Sequence, residues 1–447
     1  MPTRTQIFQV STLYGAATLA AALDAGQFGP PAESRRILLV CNNAPVPETA
    51  AGLDAMLGYD RIAARFDSVV SWNEAIRPYH PGAWGPRAED VVLWQRALRL
   101  AWGLGEEPVE LVLESIQVDP ARALGAIFSE STLHVYADGL MSYGPTRTRL
   151  PQTMGCRVQR VLHLDLVPGL RPMLLSEFDV EPELVPADAF RKVLGEIAGA
   201  ADGDPQLTEA VEQAPTAVLL GQYLAALDIL TADEEEDLHI RMLRGAARAG
   251  HTSILFKPHP TAPARYSDAL DRAAAEAGVR LVTMDTPLLA ETLFERCAPA
   301  LVVGCFSTAM LTAAAYYGIP VARVGTGRVL DRLTPYENSN RIPLTIVDHL
   351  VPDLEDHGGG AVPALPPSSP ATLGPLVRTV GYCMQSELHP ELRGEAEAWL
   401  RDRLDVSTQR YFKRRRIDML SLPGGSAEGT AARLRRTVRR TRSTLSR

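Results

Sequence analysis

Short apolar runs alternate with helix-like segments along most of this chain, and each apolar run ends in a polar turn. Strand-like runs in the first half lie at residues 7–10, 37–41, 66–70, 109–113 and 133–136. In the second half they lie at residues 217–220, 253–256, 279–282, 300–303 and 321–324. Strand, turn, helix and strand at this spacing indicate parallel sheets with helices on both faces. The sequence therefore predicts an α/β protein with two doubly wound units.

The length of 447 residues is also typical of two domains rather than one. A segment rich in Pro, Gly and acidic residues separates the two alternating stretches and reads as a crossing between domains. The predicted boundaries are an N-terminal domain at 1–185, a linker at 186–215, a second domain at 216–346, a flexible Pro/Gly-rich loop at 347–370, helices at 371–412 and a basic tail at 413–447.

Charge is unevenly distributed along the chain. The net charge is −8, but residues 413–447 carry eleven Lys and Arg against two acidic residues, a net of +9, so residues 1–412 carry −17. An acidic body argues against a protein that binds nucleic acid. The tail is compatible with a basic helix on an anionic membrane and equally with a solvated extension.

The cysteines and the termini indicate the compartment. Five cysteines are scattered without a CxxC pair, at Cys41, Cys156, Cys297, Cys305 and Cys383. This spacing predicts reduced thiols, without a zinc site or a disulfide framework. Neither a signal peptide nor an apolar run of ~20 residues is evident. We therefore expect a cytoplasmic protein.

Three short segments carry the candidate chemistry, at residues 136–139, 256–260 and 304–308. Each follows the carboxyl end of a predicted strand. Open α/β sheets bind ligands outside the carboxyl ends of their strands, so the three segments are predicted to share one cleft.

The first segment offers Asp138, which could take a proton from an attacking hydroxyl as a general base. Gly139 would allow a sharp exit that leaves the carboxylate in the cleft. The alternative is a turn aspartate that bonds to its own backbone.

The second segment places His259 between Pro258 and Pro260, which stiffen the turn. With Lys257, His259 could donate hydrogen bonds to a leaving phosphate. Two other His-Pro pairs occur in the chain, so a plain turn is the alternative.

The third segment places Ser307 and Thr308 at the start of a predicted helix, where hydroxyls and free N–H groups form an anion site. An ordinary helix cap is the alternative, and both can hold together. Gly221 and Gln222 follow another strand, and Glu291 could bind a ribose or an amine; a structural role is the alternative for all three.

Several other chemistries lack their signatures. Asp202-Gly203-Asp204 reads as a solvated loop, and no cluster has metal-ligand spacing. A GxGxxG after the first strand and a P-loop lysine are both missing, which argues against a dehydrogenase or an NTPase.

Together these motifs resemble those of the bacterial sialyltransferases and polysialyltransferases of GT-B fold. That group shares an acidic pair followed by glycine, a His-Pro and a Ser-Ser/Thr pair. Here they stand as Ala137-Asp138-Gly139, His259-Pro260 and Ser307-Thr308, in the same order. The resemblance covers roughly residues 5–345.

The resemblance implies two Rossmann-like domains that face a cleft, with the nucleotide sugar on the second domain. It implies a CMP-activated sialic acid or related nonulosonic acid donor, a glycan or lipid-linked glycan acceptor, an inverting displacement and no metal or other cofactor. By this carry-over Asp138 is the general base, His259 stabilises the departing CMP phosphate, and Ser307 and Thr308 bind that phosphate. Ala137 departs from the acidic pair and leaves one carboxylate.

Two alternatives remain open from the residues alone. CDP-alditol phosphotransferases also pair a His-Pro with a Ser-Ser, without needing the Asp-Gly segment. A non-catalytic GT-B-like protein that binds a nucleotide sugar or a glycan would account for Ala137.

Overall fold

A computed structural model describes residues 4–137, 139–259, 265–365 and 370–425. Asp138, Pro260 and the last part of the predicted basic tail, residues 426–447, lie outside the described residues. The described chain is an α/β protein with two wholly parallel sheets, which confirms the predicted fold class.

The first sheet has seven strands in the order β3-β2-β1-β4-β5-β6-β7. Their bounds are β1 Arg4–Val10, β2 Ser34–Val40, β3 Ser68–Ser71, β4 Val109–Glu114, β5 Thr132–Ala137, β6 Val158–His163 and β7 Pro182–Leu184. The sequence did not predict β6 and β7. In β6, Gln159 and Arg160 interrupt the apolar run, and β7 has three residues. Ala137 at the end of β5 pairs with His163 at the end of β6.

The second sheet has five strands in the order β10-β9-β8-β11-β12. Their bounds are β8 Ala217–Leu220, β9 Ser253–Lys257, β10 Arg280–Thr283, β11 Leu301–Gly304 and β12 Val321–Arg323. Every residue of β8 and β11 is buried, as expected for strands covered on both faces by helices. The strand order reverses beside β1 in the first sheet and beside β8 in the second, and the crevice at such a reversal is where ligands bind.

The helices alternate with these strands and continue beyond them. Their bounds are α1 Leu13–Asp24, α2 Tyr59–Ala63, α3 Trp72–Ile76, α4 Val91–Ala101, α5 Ala121–Ile127, α6 Gln152–Gly155, α7 Ala187–Ala200, α8 Pro205–Glu212, α9 Ala232–Arg248, α10 Arg265–Ala277, α11 Ala290–Cys297, α12 Thr308–Tyr317, α13 Thr326–Arg332, α14 Arg341–Leu350, α15 Pro370–Met384, α16 Arg393–Arg403 and α17 Arg414–Leu420. In the described parts of the chain, no helix is long and apolar enough to cross a bilayer.

Helices α7 and α8 occupy the segment between the two sheets. Helix α7 packs on α1 beside the first sheet and on α11 beside the second. Arg296 of α11 donates to the carbonyl of Ala198 and pairs with Asp202 at 2.6 Å. The Asp204 carboxylate accepts from the N–H of Leu207 and caps α8. The Asp-Gly-Asp segment is an exposed turn, as predicted, and its two carboxylates also make these structural contacts.

The C-terminal helices return to the first sheet. A Cβ on Gly381 of α15 would lie 2.8 Å from the Met173 side chain, and the amide of Gln385 donates to the carbonyl of Arg147. The chain thus crosses between the two units a second time.

Two predicted flexible segments are partly ordered. Within the predicted loop 347–370, α14 extends to Leu350 and the Asp353 carboxylate pairs with Arg323 at 2.5 Å. Within the predicted tail 413–447, Ile417 of α17 is buried and Arg416 pairs with Glu337 at 2.8 Å. The prediction of an unfolded or membrane-surface tail was therefore wrong for residues 413–425, which pack on the folded body.

Candidate functional site

The loop after β5 and the start of α12 meet across the cleft between the two sheets. A Cβ placed on Gly139 would lie 2.8 Å from the Thr308 Oγ1, closer than real Cβ contacts allow. The backbone of Gly139 has φ −144° and ψ −171°, an extended conformation open to any residue. Gly139 lies at a bend in the chain, and the close approach to Thr308 is a further reason for glycine at this position.

Asp138 immediately precedes this contact but lies outside the described residues. Ala137, on its other side, ends β5 at the carboxyl edge of the first sheet. The role of Asp138 as general base stays a prediction.

The start of α12 has the form of an anion site. Ser307 is the N-cap, and its Oγ accepts from the N–H of Ala309 at 3.3 Å. Ser307 and Thr308 are both half-buried. The free N–H groups of the first turn and the helix dipole favour a negative charge at this end. The capping role is thus observed, and the anion-binding role stays a prediction.

His259 follows β9 and lies against the turn that follows β8. Its ring stacks on Tyr223, with centroids 3.9 Å apart and planes 22° apart. A Cβ on Gly221 would lie 3.0 Å from the backbone N of His259 and from the Cα of Pro258. Gly221 therefore allows the two loops to pack closely, and its role in donor binding stays a prediction.

The environment of His259 keeps its ring neutral. Burial, together with the nearby charge of Lys257, lowers the pKa of His259 to about 4. A neutral imidazole can donate one hydrogen bond, and an anionic phosphate placed beside it would raise its pKa again. The ring is thus suited to interact with a leaving group that becomes more negative.

The ammonium group of Lys257 is engaged by backbone carbonyls. Its side chain is largely buried, and its Nζ donates to the carbonyls of Met284 and Thr286, the latter at 3.2 Å. Burial lowers the pKa of Lys257 to about 8, and the charge of Asp285 partly opposes this shift. The charge of Lys257 also lowers the pKa of His259, and the predicted contact of Lys257 with the phosphate stays a prediction.

Gln222 is engaged in its own turn. Its backbone N–H donates to the Nε2 of His239 at 3.0 Å, and its side-chain amide donates to the carbonyls of Leu220 and Gly221. Burial lowers the pKa of His239 to about 4, so this histidine is a neutral acceptor. These contacts indicate a structural role for Gln222, and its role in donor binding stays a prediction.

Glu291 lies in the first turn of α11, and its side chain is almost fully buried. Burial raises the pKa of Glu291 to about 7, although a hydrogen bond with the hydroxyl of Thr312 opposes the shift. Its Oε1 has no hydrogen-bond partner among the described residues. A buried carboxyl oxygen without a partner is costly, so a ligand hydroxyl or amine there would be favourable.

The structure adds two residues that the sequence did not reveal. The Tyr14 hydroxyl, in the first turn of α1, lies 2.8 Å from the Thr312 Oγ1 in α12. Asp165 lies two residues beyond β6, and its charge helps to raise the pKa of Tyr316 in α12. Asp165 was missed because β6 was not predicted, and Tyr14 lacks any local motif.

Metal ligands do not cluster in the described part of the chain: no group of three or more His, Cys, Asp or Glu side chains could hold an ion there. The chemistry of the site, as described, rests on a helix terminus, hydroxyls, an imidazole and a buried carboxyl.

Two doubly wound parallel sheets that meet across a cleft have the layout of the GT-B fold. A family model described as alpha-2,8-polysialyltransferase (POLYST) matches residues 6–326, more than two thirds of the chain. The chain therefore belongs to the alpha-2,8-polysialyltransferase family, as the motifs predicted.

Similar solved structures include two bacterial sialyltransferases. A 2,6-sialyltransferase from Photobacterium sp. JT-ISH-224, in a complex with CMP and lactose, is 15% identical over 77% of this chain and 75% of that one, with a TM-score of 0.42. The GT-B domain of the Photobacterium damselae sialyltransferase is 14% identical over 77% and 96%, with a TM-score of 0.42.

A more distant similarity is to a UDP-bound transferase from Siraitia grosvenorii, which is 12% identical over 94% and 100% of the two chains, with a TM-score of 0.39. No curated protein matched the sequence. The family assignment rests on the match over residues 6–326.

Proposed function

We propose that this glycosyltransferase moves a sialic acid, or a related nonulosonic acid, from a CMP-activated donor to a glycan hydroxyl with inversion. The observation that carries the proposal is the approach of Gly139 to Thr308. In an inverting displacement the acceptor oxygen enters opposite the leaving phosphate, so the base and the phosphate site belong on opposite walls of the cleft. Gly139, which follows Asp138 in the sequence, lies opposite the start of α12, and this supports the proposed arrangement.

In the proposed reaction, Asp138 takes the proton of the acceptor hydroxyl. An aspartate in water has a pKa of ~3.9, so it is ionised at neutral pH and ready to act. The hydroxyl oxygen forms a bond to the anomeric carbon while the bond from that carbon to the phosphate oxygen breaks. The electron pair leaves with CMP.

The second wall of the cleft binds the leaving group. The first turn of α12, with Ser307 and Thr308, would hold the phosphate through N–H and hydroxyl donors. His259 would donate a hydrogen bond as negative charge builds on the phosphate. Because these groups stabilise the charge, the proposed mechanism needs no metal or other cofactor.

Glu291 is the proposed ligand for the ribose or the cytosine amine of the donor. Its Oε1 is an unpartnered hydrogen-bond acceptor, and its carboxyl contacts Thr312 of α12. Helix α12 also carries the proposed phosphate site at its first turn, which supports this assignment. We further propose a glycan or lipid-linked glycan of a cell-surface polysaccharide as acceptor. The enzyme would then work in the cytoplasm, and residues 426–447 are the remaining part of the tail that could reach the inner membrane face.

Calorimetric and thermal-shift titrations with CMP, CDP, UMP and GDP test the donor assignment. A ligand that binds only the folded protein raises its melting temperature in proportion to its affinity. We expect CMP to bind most tightly and His259→Ala to weaken it. A clear preference for CDP would instead indicate an alditol phosphotransferase, and no binding by any nucleotide would indicate a non-catalytic protein.

Transfer assays with Asp138→Asn provide the second test. The proposal requires this variant to lose transfer while it retains CMP binding. Intact transfer by Asp138→Asn, together with loss in His259→Ala, would contradict the role of the aspartate as base.

A further inference from the structure

The loop between β8 and α9 carries the aromatic ring that lies against His259. Tyr223 stacks on the imidazole, with ring centroids 3.9 Å apart and planes 22° apart. The tyrosine is 39% exposed, so contacts with the protein body surround only part of its side chain. The position of the tyrosine ring over the imidazole therefore depends on how firmly the backbone of this loop is fixed.

The backbone on both sides of Tyr223 is hydrogen-bonded to side chains of α9. The N–H of Gln222 donates to the Nε2 of His239 at 3.0 Å. The N–H of Leu224 donates to the Oε1 of Glu235 at 2.5 Å. These two bonds fix the chain one residue before and one residue after the stacked tyrosine.

The two side chains of α9 are placed to make these bonds together. Glu235 and His239 are four positions apart, so they lie on one face of the helix, and they are 1% and 0% exposed. Burying a carboxylate is costly unless it accepts hydrogen bonds, and the second oxygen of Glu235 accepts from the N–H of Ala225 at 3.3 Å. Hydrogen bonds to a carboxylate are stronger than those between neutral groups, so the loop is attached firmly.

Helix α9 is itself anchored at its start and along its buried face. Thr231 and Glu234 form a reciprocal capping box at its first turn. Glu234 also pairs with Arg328 of α13 at 2.6 Å. The ring of His239 lies 5.2 Å from the ring of Phe256, in the strand that leads to the candidate site. The helix therefore provides a fixed base for the loop that it binds.

We propose that Glu235 and His239 are positioning residues, which hold Tyr223 against His259 and thereby fix the direction of its imidazole ring. The inference rests on the proposed function, in which this ring stabilises the leaving phosphate. The stack restricts rotation of the imidazole and keeps water from one of its faces. A donor that is already oriented needs no reorganisation at the moment when charge builds on the phosphate.

NMR of the His259 ring, labelled with carbon-13 at Cε1, tests the inference without nucleotide or acceptor. A proton above the face of an aromatic ring is shifted upfield by the ring current, so the Cε1–H resonance reports the stack directly. We expect this resonance to move downfield in Tyr223→Ala and to stay upfield in Tyr223→Phe, which retains the ring. Glu235→Gln and His239→Leu should also move it downfield, and His259→Ala assigns it.

The substitutions in α9 have matched controls. Glu235→Gln replaces one acceptor oxygen with an amide that only donates, so one N–H of the loop loses its partner. His239→Gln keeps an oxygen that can accept in place of Nε2, and it should leave the resonance upfield. Asp237→Asn makes the same change of charge in the same helix, but Asp237 pairs with Arg241 at 3.0 Å, so the resonance should not move.

Transfer kinetics provide the functional readout. We expect Glu235→Gln and His239→Leu to lower kcat by about tenfold or more, because a displaced imidazole stabilises the leaving phosphate less. The KM for the acceptor should not change, since the acceptor is proposed to bind at the other sheet. His239→Gln should recover most of the rate. Lower stability alone would reduce the melting temperature without separating kcat from KM.

A Cε1–H resonance that stays upfield in both Glu235→Gln and His239→Leu would overturn the inference, as would an unchanged kcat in variants that have lost the stack. The NMR result also separates this inference from the proposed reaction. Should the unaltered protein transfer no sugar while the resonance moves as expected, the hold on Tyr223 is supported and the proposed reaction is contradicted.

Discussion

The hydroxyl of Tyr14 lies 2.8 Å from the hydroxyl of Thr312, and this hydrogen bond joins α1 of the first unit to α12 of the second. The Thr312 hydroxyl also donates to the carbonyl of Thr308 at 3.3 Å. Either hydroxyl of the pair can be the donor. The contact therefore ties the acceptor-side unit to the helix whose first turn is the proposed phosphate site.

Removing this hydroxyl should slow transfer. We expect Tyr14→Phe to lower kcat by about two- to tenfold, the effect of one neutral hydrogen bond, because α12 is then held less firmly opposite the Asp138 loop. Steady-state kinetics would measure kcat, and calorimetry would show a smaller change in the Kd for CMP.

A double-mutant cycle with Thr312→Val identifies the partner. The two substitutions should not add, because either one alone removes the same bond. Tyr336→Phe is the matched control: it removes a buried hydroxyl that donates to the carbonyl of Tyr411 in the C-terminal region, and it should leave kcat unchanged. Additive effects in the cycle would show that Tyr14 and Thr312 act separately.

Gly139→Ala should impair transfer more than stability. The added Cβ would lie 2.8 Å from the Thr308 Oγ1, so the two walls of the cleft must move apart, whereas the extended backbone at Gly139 accepts alanine. Misplacement of this order can cost about 100-fold in rate. The measurement pairs transfer kinetics with thermal unfolding.

Gly195→Ala in α7 serves as the comparison, since a Cβ there meets no atom within 4 Å. It should retain full activity and gain roughly 0.5–1 kcal/mol of stability, as expected for alanine inside a helix. Equal activity of both alanine variants would contradict the close approach of Gly139 to Thr308.

CMP binding should be accompanied by proton uptake. The pKa of His259 lies at about 4 in the unliganded protein, so the ring is neutral at pH 6–7, and a phosphate beside it raises that pKa. Calorimetry in two buffers of different ionisation enthalpy measures the protons taken up. The uptake should vanish in His259→Ala and persist in His251→Ala, at the opposite end of β9. Equal binding enthalpies in the two buffers would show that no proton is taken up. That result would contradict a phosphate bound beside His259.

Glu291 should make stability fall as pH rises. Its pKa is about 7 in the folded protein and 4.5 when unperturbed, so the folded state holds a proton that the unfolded state has released between these values. The corresponding stabilisation is complete below pH 4.5 and is lost as pH rises through 7, by up to roughly 3 kcal/mol.

Urea unfolding of Glu291→Gln against the unaltered protein tests this expectation. The amide mimics the protonated carboxyl. The free energy of unfolding of the variant, relative to that of the unaltered protein, should therefore rise from pH 5 to pH 8. Parallel pH profiles for the two proteins would show that Glu291 is ionised throughout.

The sheets were predictable because strands buried on both faces appear as unbroken apolar runs. Gln159 and Arg160 interrupt the apolar run of β6, so this strand was not predicted. Without β6, neither Asp165 nor the pairing of Ala137 with His163 could be predicted. The sequence likewise predicted that Lys257 and Gln222 lie at the carboxyl ends of strands, where β9 and β8 end. The direction of each side chain depends on neighbours far away in sequence, such as Met284 and His239, and no local pattern contains it.

The bond between Tyr14 and Thr312 joins residues 298 positions apart, so only the packed molecule brings them together. Gly139 is intermediate. Its position in a motif was evident from the sequence, but the physical need for glycine, the nearby Thr308, was not.

The return of α15 to the first sheet has a mechanical consequence. The chain passes between the two units once through α7 and α8 and once more between α14 and α15, where Gln385 then bonds to Arg147. Two bodies joined by a single tether can tumble freely, whereas two bodies joined at two places are confined to rotation about the line through both. Opening of the cleft should therefore be a motion with one degree of freedom, which returns Gly139 to the same register against Thr308 each time it closes.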